Sequence, residues 1–225
     1  MTFANANADL PANRYELAAF IDLMVTAPEL TSAQVTELVE QAGEWGFNAC
    51  YVPSGRLPQP QAQLPVGTLV SYPLGADYSL SKAFSARLAV DQGATEVCVM
   101  ADLGAIVAGE WNALMADLVT VREAAPAPVI LQIVVETAYL LTLSDGLDRI
   151  SRCCQIALAV GADMVVTGTG LHPAGDGASV EAVRAMAESV GGQLGIKAMG
   201  GVSTAAQALE LMAAGATRNR LDIVM

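Results

Sequence analysis

The sequence holds a single histidine, His172, and four cysteines, Cys50, Cys98, Cys153 and Cys154, with no CxxC spacing among them. That excludes the usual His/Cys ligand sets of a zinc site, and neither a metal nor another cofactor is expected. Vicinal Cys153 and Cys154 are poorly placed to bridge each other, so reduced thiols in the cytoplasm are expected. Basic residues are scarce: 11 Lys and Arg face 23 Asp and Glu, for a formal net charge of −12. Such a surface argues against nucleic-acid and anionic-membrane partners while leaving room for a locally positive pocket. No apolar run reaches membrane-spanning length. Met1 to Leu10 lacks the basic start and apolar stretch of a secretory signal. Aromatics are few at 5%, which leaves Ala, Val, Leu and Met to fill the core.

Hydrophobic residues make up 53% of the 225 positions and charged residues only 15%. This composition buries a large core and excludes disorder. The length is generous for an open sheet and usual for one α/β barrel. Along the chain, β-branched runs alternate with small-residue loops and amphipathic segments, the rhythm of parallel strands joined by helices. The candidate strands are 19–24, 47–52, 68–72, 96–100, 129–135, 164–167, 194–198 and 216–224. In the fifth, Val129, Ile130, Leu131, Ile133, Val134 and Val135 run almost unbroken around Gln132, as a strand buried on both faces does.

Helical spacing places Val35, Leu38, Val39, Ala42 and Trp45 on one face, Leu80, Phe84 and Leu88 on another, Val180, Val183, Ala187 and Val190 on a third, and Ala205, Ala208, Leu209 and Met212 on a fourth. Each is expected to turn inward. Thr31 has the chemistry of an N-cap. Gly46, Gly93, Gly161 and Gly215 suit left-handed helix ends. The fold expected is a single (β/α)8 TIM barrel over residues 1–225, with 1–18 an extension or short capping helix. The sequence stops directly after the eighth strand, so the helix that usually covers that strand is expected to be missing, leaving an apolar edge for a subunit contact.

In such barrels the reactive groups stand at the C-terminal ends of strands. Lys197, within Gly195-Ile196-Lys197-Ala198-Met199-Gly200-Gly201, is costly to bury as a cation. Desolvation would make its amine more nucleophilic; pairing with a carboxylate or snorkelling to the strand end is the structural alternative. Gly200-Gly201 and Thr167-Gly168-Thr169-Gly170 are loops whose backbone N–H groups can cradle a phosphate or simply make tight turns. Asp22 in the first strand, Asp102 after the fourth and Glu136 at the end of the fifth can act as general acid or base, or be hydrogen-bonded strand-end carboxylates. Cys98 reads as a small core residue and His172 as a loop residue.

These positions resemble deoxyribose-phosphate aldolase, a class I aldolase family on the (β/α)8 barrel, over about residues 21 to 218. The resemblance is carried by Ile21-Asp22, by Tyr72-Pro73-Leu74-Gly75 with Lys82-Ala83-Phe84, by Glu96 through Gly104-Ala105-Ile106, by Val135-Glu136-Thr137, by Gly161-Ala162-Asp163 through Thr167, Thr169 and Gly170, and by Gly195 to Gly201. It implies cleavage of 2-deoxyribose 5-phosphate to glyceraldehyde 3-phosphate and acetaldehyde. One lysine forms an iminium, while a second lysine and an aspartate tune the amine and move protons.

The family's Lys-Thr-Ser-Thr-Gly reads Val166-Thr167-Gly168-Thr169-Gly170 here, so Val166 stands at the nucleophile's position. Cys98 stands at the aspartate's, and Lys197 keeps the second lysine. The resemblance places Thr167, Gly170, Gly200 and Gly201 at the phosphate end. There Ser203 replaces an arginine, and Asp222 falls in the loop that usually carries a serine. Leu23, in place of a histidine, is expected to make the pocket less polar.

Three functions follow. The first is an aldolase relative with that activity lost or strongly reduced, partnering a paralogue or binding a metabolite. The second is an altered aldolase that uses Lys197 with Asp22 or Asp102 on a less anionic aldehyde or ketone. The third is a scaffold that uses only the barrel. The partners expected are a small aldehyde or sugar phosphate and a second subunit, either a homodimer or a paralogue.

Overall fold

The computed structural model describes residues 14–175 and 177–220. Eight parallel strands close into a barrel in sequential order: β1 (Ile21–Met24), β2 (Ala49–Tyr51), β3 (Val66–Val70), β4 (Glu96–Met100), β5 (Ile130–Val134), β6 (Met164–Val166), β7 (Gly195–Ala198) and β8 (Arg218–Arg220). Around them lie α1 (Arg14–Ala18), α2 (Ser32–Glu44), α3 (Ser79–Asp91), α4 (Leu103–Ala108), α5 (Trp111–Ala124), α6 (Thr137–Leu140), α7 (Gly146–Val160), α8 (Val180–Val190) and α9 (Ala205–Ala213). The (β/α)8 TIM barrel expected from the sequence is the fold observed.

Local chemistry explains the element ends. Thr31 caps α2 through a reciprocal pair with Gln34: the Thr31 side chain accepts from Gln34 N, and the Gln34 side chain accepts from Thr31 N. Two orphan donors of the first turn are thereby satisfied. Thr204 and Gln207 repeat the device on α9. Gly46, Gly93, Gly161 and Gly215 all take positive φ at helix ends, a conformation open to glycine at little cost.

Strand β3 covers residues 66–70 rather than 68–72, because Ser71 turns the chain at φ 60. The two-residue shift leaves every side chain on its expected face, since the strand period is two. The expected eighth strand, 216–224, is observed only as Arg218–Arg220; its remainder and Asp222 lie outside the described residues, as do residues 1–13 of the expected N-terminal extension.

Period two also sorts the core. Val97, Val99, Leu131, Ile133, Val165 and Ile196 face outward into a large apolar shell with the helices. Leu23, Cys50 and Val66 face outward against Val35, Val39 and Ala42 of α2. Leu23 therefore packs behind the barrel wall and does not make the pocket less polar.

Three expected helix faces are corrected. Trp45 and Ala205 are exposed. On α3 the expected inner residues Leu80, Phe84 and Leu88 are all exposed, while Lys82, Ala83, Ala86 and Ala89 are buried. A cation anchors this inverted helix. Lys82 Nζ lies 2.7 Å from Asp117 Oδ2 on α5 and donates to the Met100 carbonyl at 3.3 Å. A buried ammonium without such partners would be prohibitive, so the pair fixes the helix rotation that apolar spacing alone would have set the other way.

Candidate functional site

The inward-facing residues form two tiers inside the barrel, one polar and one apolar. The polar tier takes one residue from each of six strands: Asp22, Tyr51, Glu96, Gln132, Lys197 and Arg218. Lys197 is buried, and its Nζ stands 2.6 Å from Asp22 Oδ2. It donates to Gln132 Oε1 at 3.3 Å and sits 3.9 Å above the centre of the Tyr51 ring. Asp22 Oδ1 accepts from Asn48 Nδ2 at 2.8 Å.

Glu96 is the second hub. Its Oε2 accepts from the Tyr51 hydroxyl at 2.5 Å, from Gln132 Nε2 at 2.8 Å and from Arg218 Nη1 at 2.8 Å. Arg218 Nη1 is also 3.9 Å from Asp22 Oδ2. Two cations and two carboxylates thus balance within one buried network, the arrangement in which desolvation is best offset. Burial, reinforced by Glu96 and Asp22, raises the Tyr51 hydroxyl well above a usual phenol, so Tyr51 is a neutral donor. Its ring needs the bare backbone of Gly67, where an added Cβ would come within 2.5 Å of the ring.

The apolar tier groups Ala49, Cys98, Met100, Val134, Val166 and Met199, with Met24, Leu69 and Tyr72 packed against them. Val166 is fully buried here, and it pairs in register with Lys197 across β6 and β7. The two positions are therefore lateral neighbours, one carrying an isopropyl group and the other the amine. Cys98 is buried beside them. Burial pushes its thiol up to about 11, with Asp22 and Glu96 adding to the effect while Lys197 and Arg220 oppose it. At neutral pH it is a thiol and neither base nor nucleophile.

The loops after β6 and β7 meet over this tier. Thr167 Oγ1 donates to the Met199 carbonyl at 2.7 Å and accepts from Met199 N at 3.0 Å. Glu136 Oε1 accepts from Thr169 N at 2.8 Å. Gly170, Gly200 and Gly201 all take positive φ. Gly177 brings two of them together, since a Cβ there would lie 3.3 Å from Gly200 Cα and 3.4 Å from Gly170 N. The expected phosphate-end residues thus share one place, but the Thr167 hydroxyl and the Thr169 N–H are already engaged within the protein. Asp102 does not join the polar tier by any described contact; it caps α4, accepting from Ala105 N at 3.2 Å. Ser203 is exposed and bonded to Gln207.

Reading the sequence for reactive types found Lys197, Asp22, Cys98 and Val166 but passed over Tyr51, Glu96, Arg218 and Arg220. Counting by two would have exposed some of them. Glu96 lies two residues before Cys98, and Arg218 and Arg220 flank buried Asn219. Arg220 Nη1 donates to the Thr169 carbonyl at 3.3 Å, so a guanidinium stands at the mouth where the sequence suggested only backbone. Among the described residues no three His, Cys, Asp or Glu side chains are grouped to hold a metal ion.

Known proteins with this architecture decide the lineage. The sequence profile of the DeoC/LacD family aldolases matches residues 17–221. The chain belongs to the DeoC/LacD aldolase family. It is 51% identical to the deoxyribose-phosphate aldolase of Nocardia farcinica, over 95% of this chain and 93% of that one. It is 46% identical to that of Kocuria rhizophila, over 91% and 92%. Among solved structures, the aldolase QR15 superposes with a TM-score of 0.83 at 26% identity, covering 91% of this chain and 90% of its own. The family match and the superposition both extend over the barrel.

Proposed function

We propose that this family member has lost, or nearly lost, the Schiff-base cleavage of 2-deoxyribose 5-phosphate and retains a barrel that associates with another subunit or binds a metabolite. The supporting observation is the pairing of buried Val166 with an already occupied Lys197. An iminium requires a free amine lone pair. Val166 has none, and the Lys197 amine is buried and already engaged, with Asp22 Oδ2 at 2.6 Å and Gln132 Oε1 at 3.3 Å. Proton shuttling by an aspartate on β4 is likewise replaced by the neutral Cys98 thiol. The polar tier then serves the barrel's interior, with Lys197 and Asp22 in positioning and charge-balancing roles and Asp102 as a helix cap.

A cytoplasmic setting suits this reading, since the four cysteines are all buried and unbridged. Any small ligand at the mouth would meet Met24, Leu69, Tyr72, Met100 and Met199. That favours an aldehyde or a weakly anionic sugar derivative, with Gly170, Gly200 and Gly201 as backbone contacts and the Arg220 guanidinium, which donates to the Thr169 carbonyl, beside them to meet negative charge.

The test is acetaldehyde release from deoxyribose 5-phosphate, followed by a coupled dehydrogenase. Turnover at least a thousandfold below that of an active family member is expected. Turnover within tenfold of ordinary enzymes, roughly 1–1,000 per second, would refute the proposal. The altered-aldolase alternative, with Lys197 as nucleophile, requires Lys197 to separate from Asp22. Borohydride trapping with small aldehydes and ketones, read by peptide mass spectrometry, would then label Lys197.

A further inference from the structure

A cation stands at the level of the apolar tier. Strand period brings Arg220 inside the barrel. Arg218 reaches Glu96 across the interior, Asn219 turns the other way, and Arg220 comes inward again. The register that pairs Lys197 with Arg218 sets Arg220 level with Met199. Its Nη1 donates to the Thr169 carbonyl at 3.3 Å, so the guanidinium spans from β8 to the loop after β6. Its charge is also felt at Cys98 on β4, where burial pushes the thiol up and Lys197 and Arg220 pull it back. The surrounding side chains of that tier carry no charge. Met100 and Met199 are buried, and Met24, Leu69 and Tyr72 are half-buried against them.

From this geometry we infer that the mouth binds a small monocarboxylate with an apolar chain, its carboxylate on the Arg220 guanidinium and its chain against the thioethers of Met24, Met100 and Met199. The inference rests on the reading of the mouth as a site that binds without Schiff-base chemistry, and it fixes the class of ligand.

Three features set that class. Shape is the first. A guanidinium is a planar fork of N–H donors, and the two oxygens of a carboxylate match it in one plane.

Charge is the second. Glu136 stands on the other side of the same Thr169 peptide, its Oε1 accepting from Thr169 N at 2.8 Å. Its Oε2 is buried with no hydrogen-bond partner. A phosphodianion would bring a second negative charge toward that carboxylate. Loop donors that could share the charge are taken, Thr167 Oγ1 by the Met199 carbonyl and Thr169 N by Glu136. One negative charge fits beside Arg220 where two do not.

The walls are the third. Thioethers are polarizable and adapt to an alkyl chain. Each methylene that such walls bury tightens binding about fourfold. A guanidinium that served only to tie β8 to Thr169 would be indifferent to the ligand's charge and chain length.

The test is titration of the chain, labelled with 13C-methyl methionine, with acetate, propanoate and butanoate. The signals of Met24, Met100 and Met199 are assigned from their leucine variants. Butanoate is expected to shift these signals and to saturate them in the millimolar range or below, with affinity rising about fourfold per methylene along the series. Butan-1-ol, which keeps the chain and lacks the charge, and inorganic phosphate are each expected to bind at least about tenfold more weakly than butanoate. Arg220→Gln should weaken butanoate by at least about tenfold, and Arg220→Lys, which keeps the charge without the fork, should fall between. The wild-type series stands by itself if Arg220→Gln does not fold. Signals unmoved by about 50 mM butanoate, phosphate binding as tightly as butanoate, no gain with chain length, or a folded Arg220→Gln chain with wild-type affinity would each overturn the inference. Acetaldehyde release from deoxyribose 5-phosphate reports on the loss of chemistry and butanoate titration on the ligand, so either can fail alone.

Discussion

Restoring an amine at the end of β6 is the most direct challenge to the proposed loss of chemistry, and the structure sets its magnitude. Val166→Lys with Cys98→Asp puts a lysine in register beside Lys197, at a strand spacing of about 4.8 Å. Two ammonium charges about 5 Å apart repel by roughly 3 kcal/mol at an effective dielectric of about 20. Asp22, 2.6 Å from Lys197, cancels part of that. With roughly half remaining, the new amine is depressed by about one pK unit, which corresponds to about tenfold more free amine at neutral pH. The aspartate at 98 supplies the proton acceptor that the present thiol cannot.

Replacing a fully buried valine by lysine among Cys98, Met100, Val134 and Met199 costs stability through overpacking and desolvation, about 3–5 kcal/mol. At this chain length that lowers Tm by roughly 6–20 °C. The assay is acetaldehyde with borohydride, then peptide mass spectrometry and a thermal melt. The variant is expected to gain one ethyl group at position 166, and the wild type none there. A folded double variant that forms no adduct would show that the apolar tier excludes the aldehyde. A wild type trapped at Lys197 as fast as the variant at 166 would refute the claim that Asp22 disables that amine.

Three further outcomes follow from the packing. Lys197→Met, which takes from the buried Asp22 its 2.6 Å partner and leaves it the more distant Arg218 and Asn48, should cost about 3 kcal/mol in urea denaturation, whereas adding Asp22→Leu should recover most of it; equal costs for the single and double variants would dissolve the pair. Gly67→Ala should destabilise by about 1–3 kcal/mol, because the new Cβ meets the Tyr51 ring. Adding Tyr51→Ala should relieve that clash while removing the hydrogen bond to Glu96, and additive losses in the cycle would show that the two sites do not touch. Finally, burial pushes the thiols of Cys50, Cys153 and Cys154 up to about 12 and that of Cys98 to about 11, from a usual 9.0. The folded state then binds protons more tightly than the unfolded, so their contribution is complete below pH 9 and is lost as pH rises toward 11–12. Stability should fall by about 1.4 kcal/mol per thiol per pH unit above 9. A flat urea midpoint from pH 8 to 11 would contradict this.

The barrel was legible in the sequence because parallel strands buried on both faces need unbroken apolar runs, and helix ends need caps and glycines. Thr31, Gly161 and the run from Val129 to Val135 signal these things locally. The lineage was legible as well, since motifs such as Gly195 to Gly201 are short and contiguous, and so was the presence of a valine where the resemblance implies an amine. What Lys197 does was not. Its partners Asp22, Gln132 and Tyr51 come from three other strands, and only closure of the barrel brings them within reach of its amine. The face of α3 was misjudged for the same reason. Apolar spacing is a statement about one helix, whereas its rotation was settled by Lys82 finding Asp117 on α5. Local propensity fixes elements and their ends. Charge pairing across distant segments decides which side of an element is inside, because an unpaired buried charge costs more than several exposed leucines.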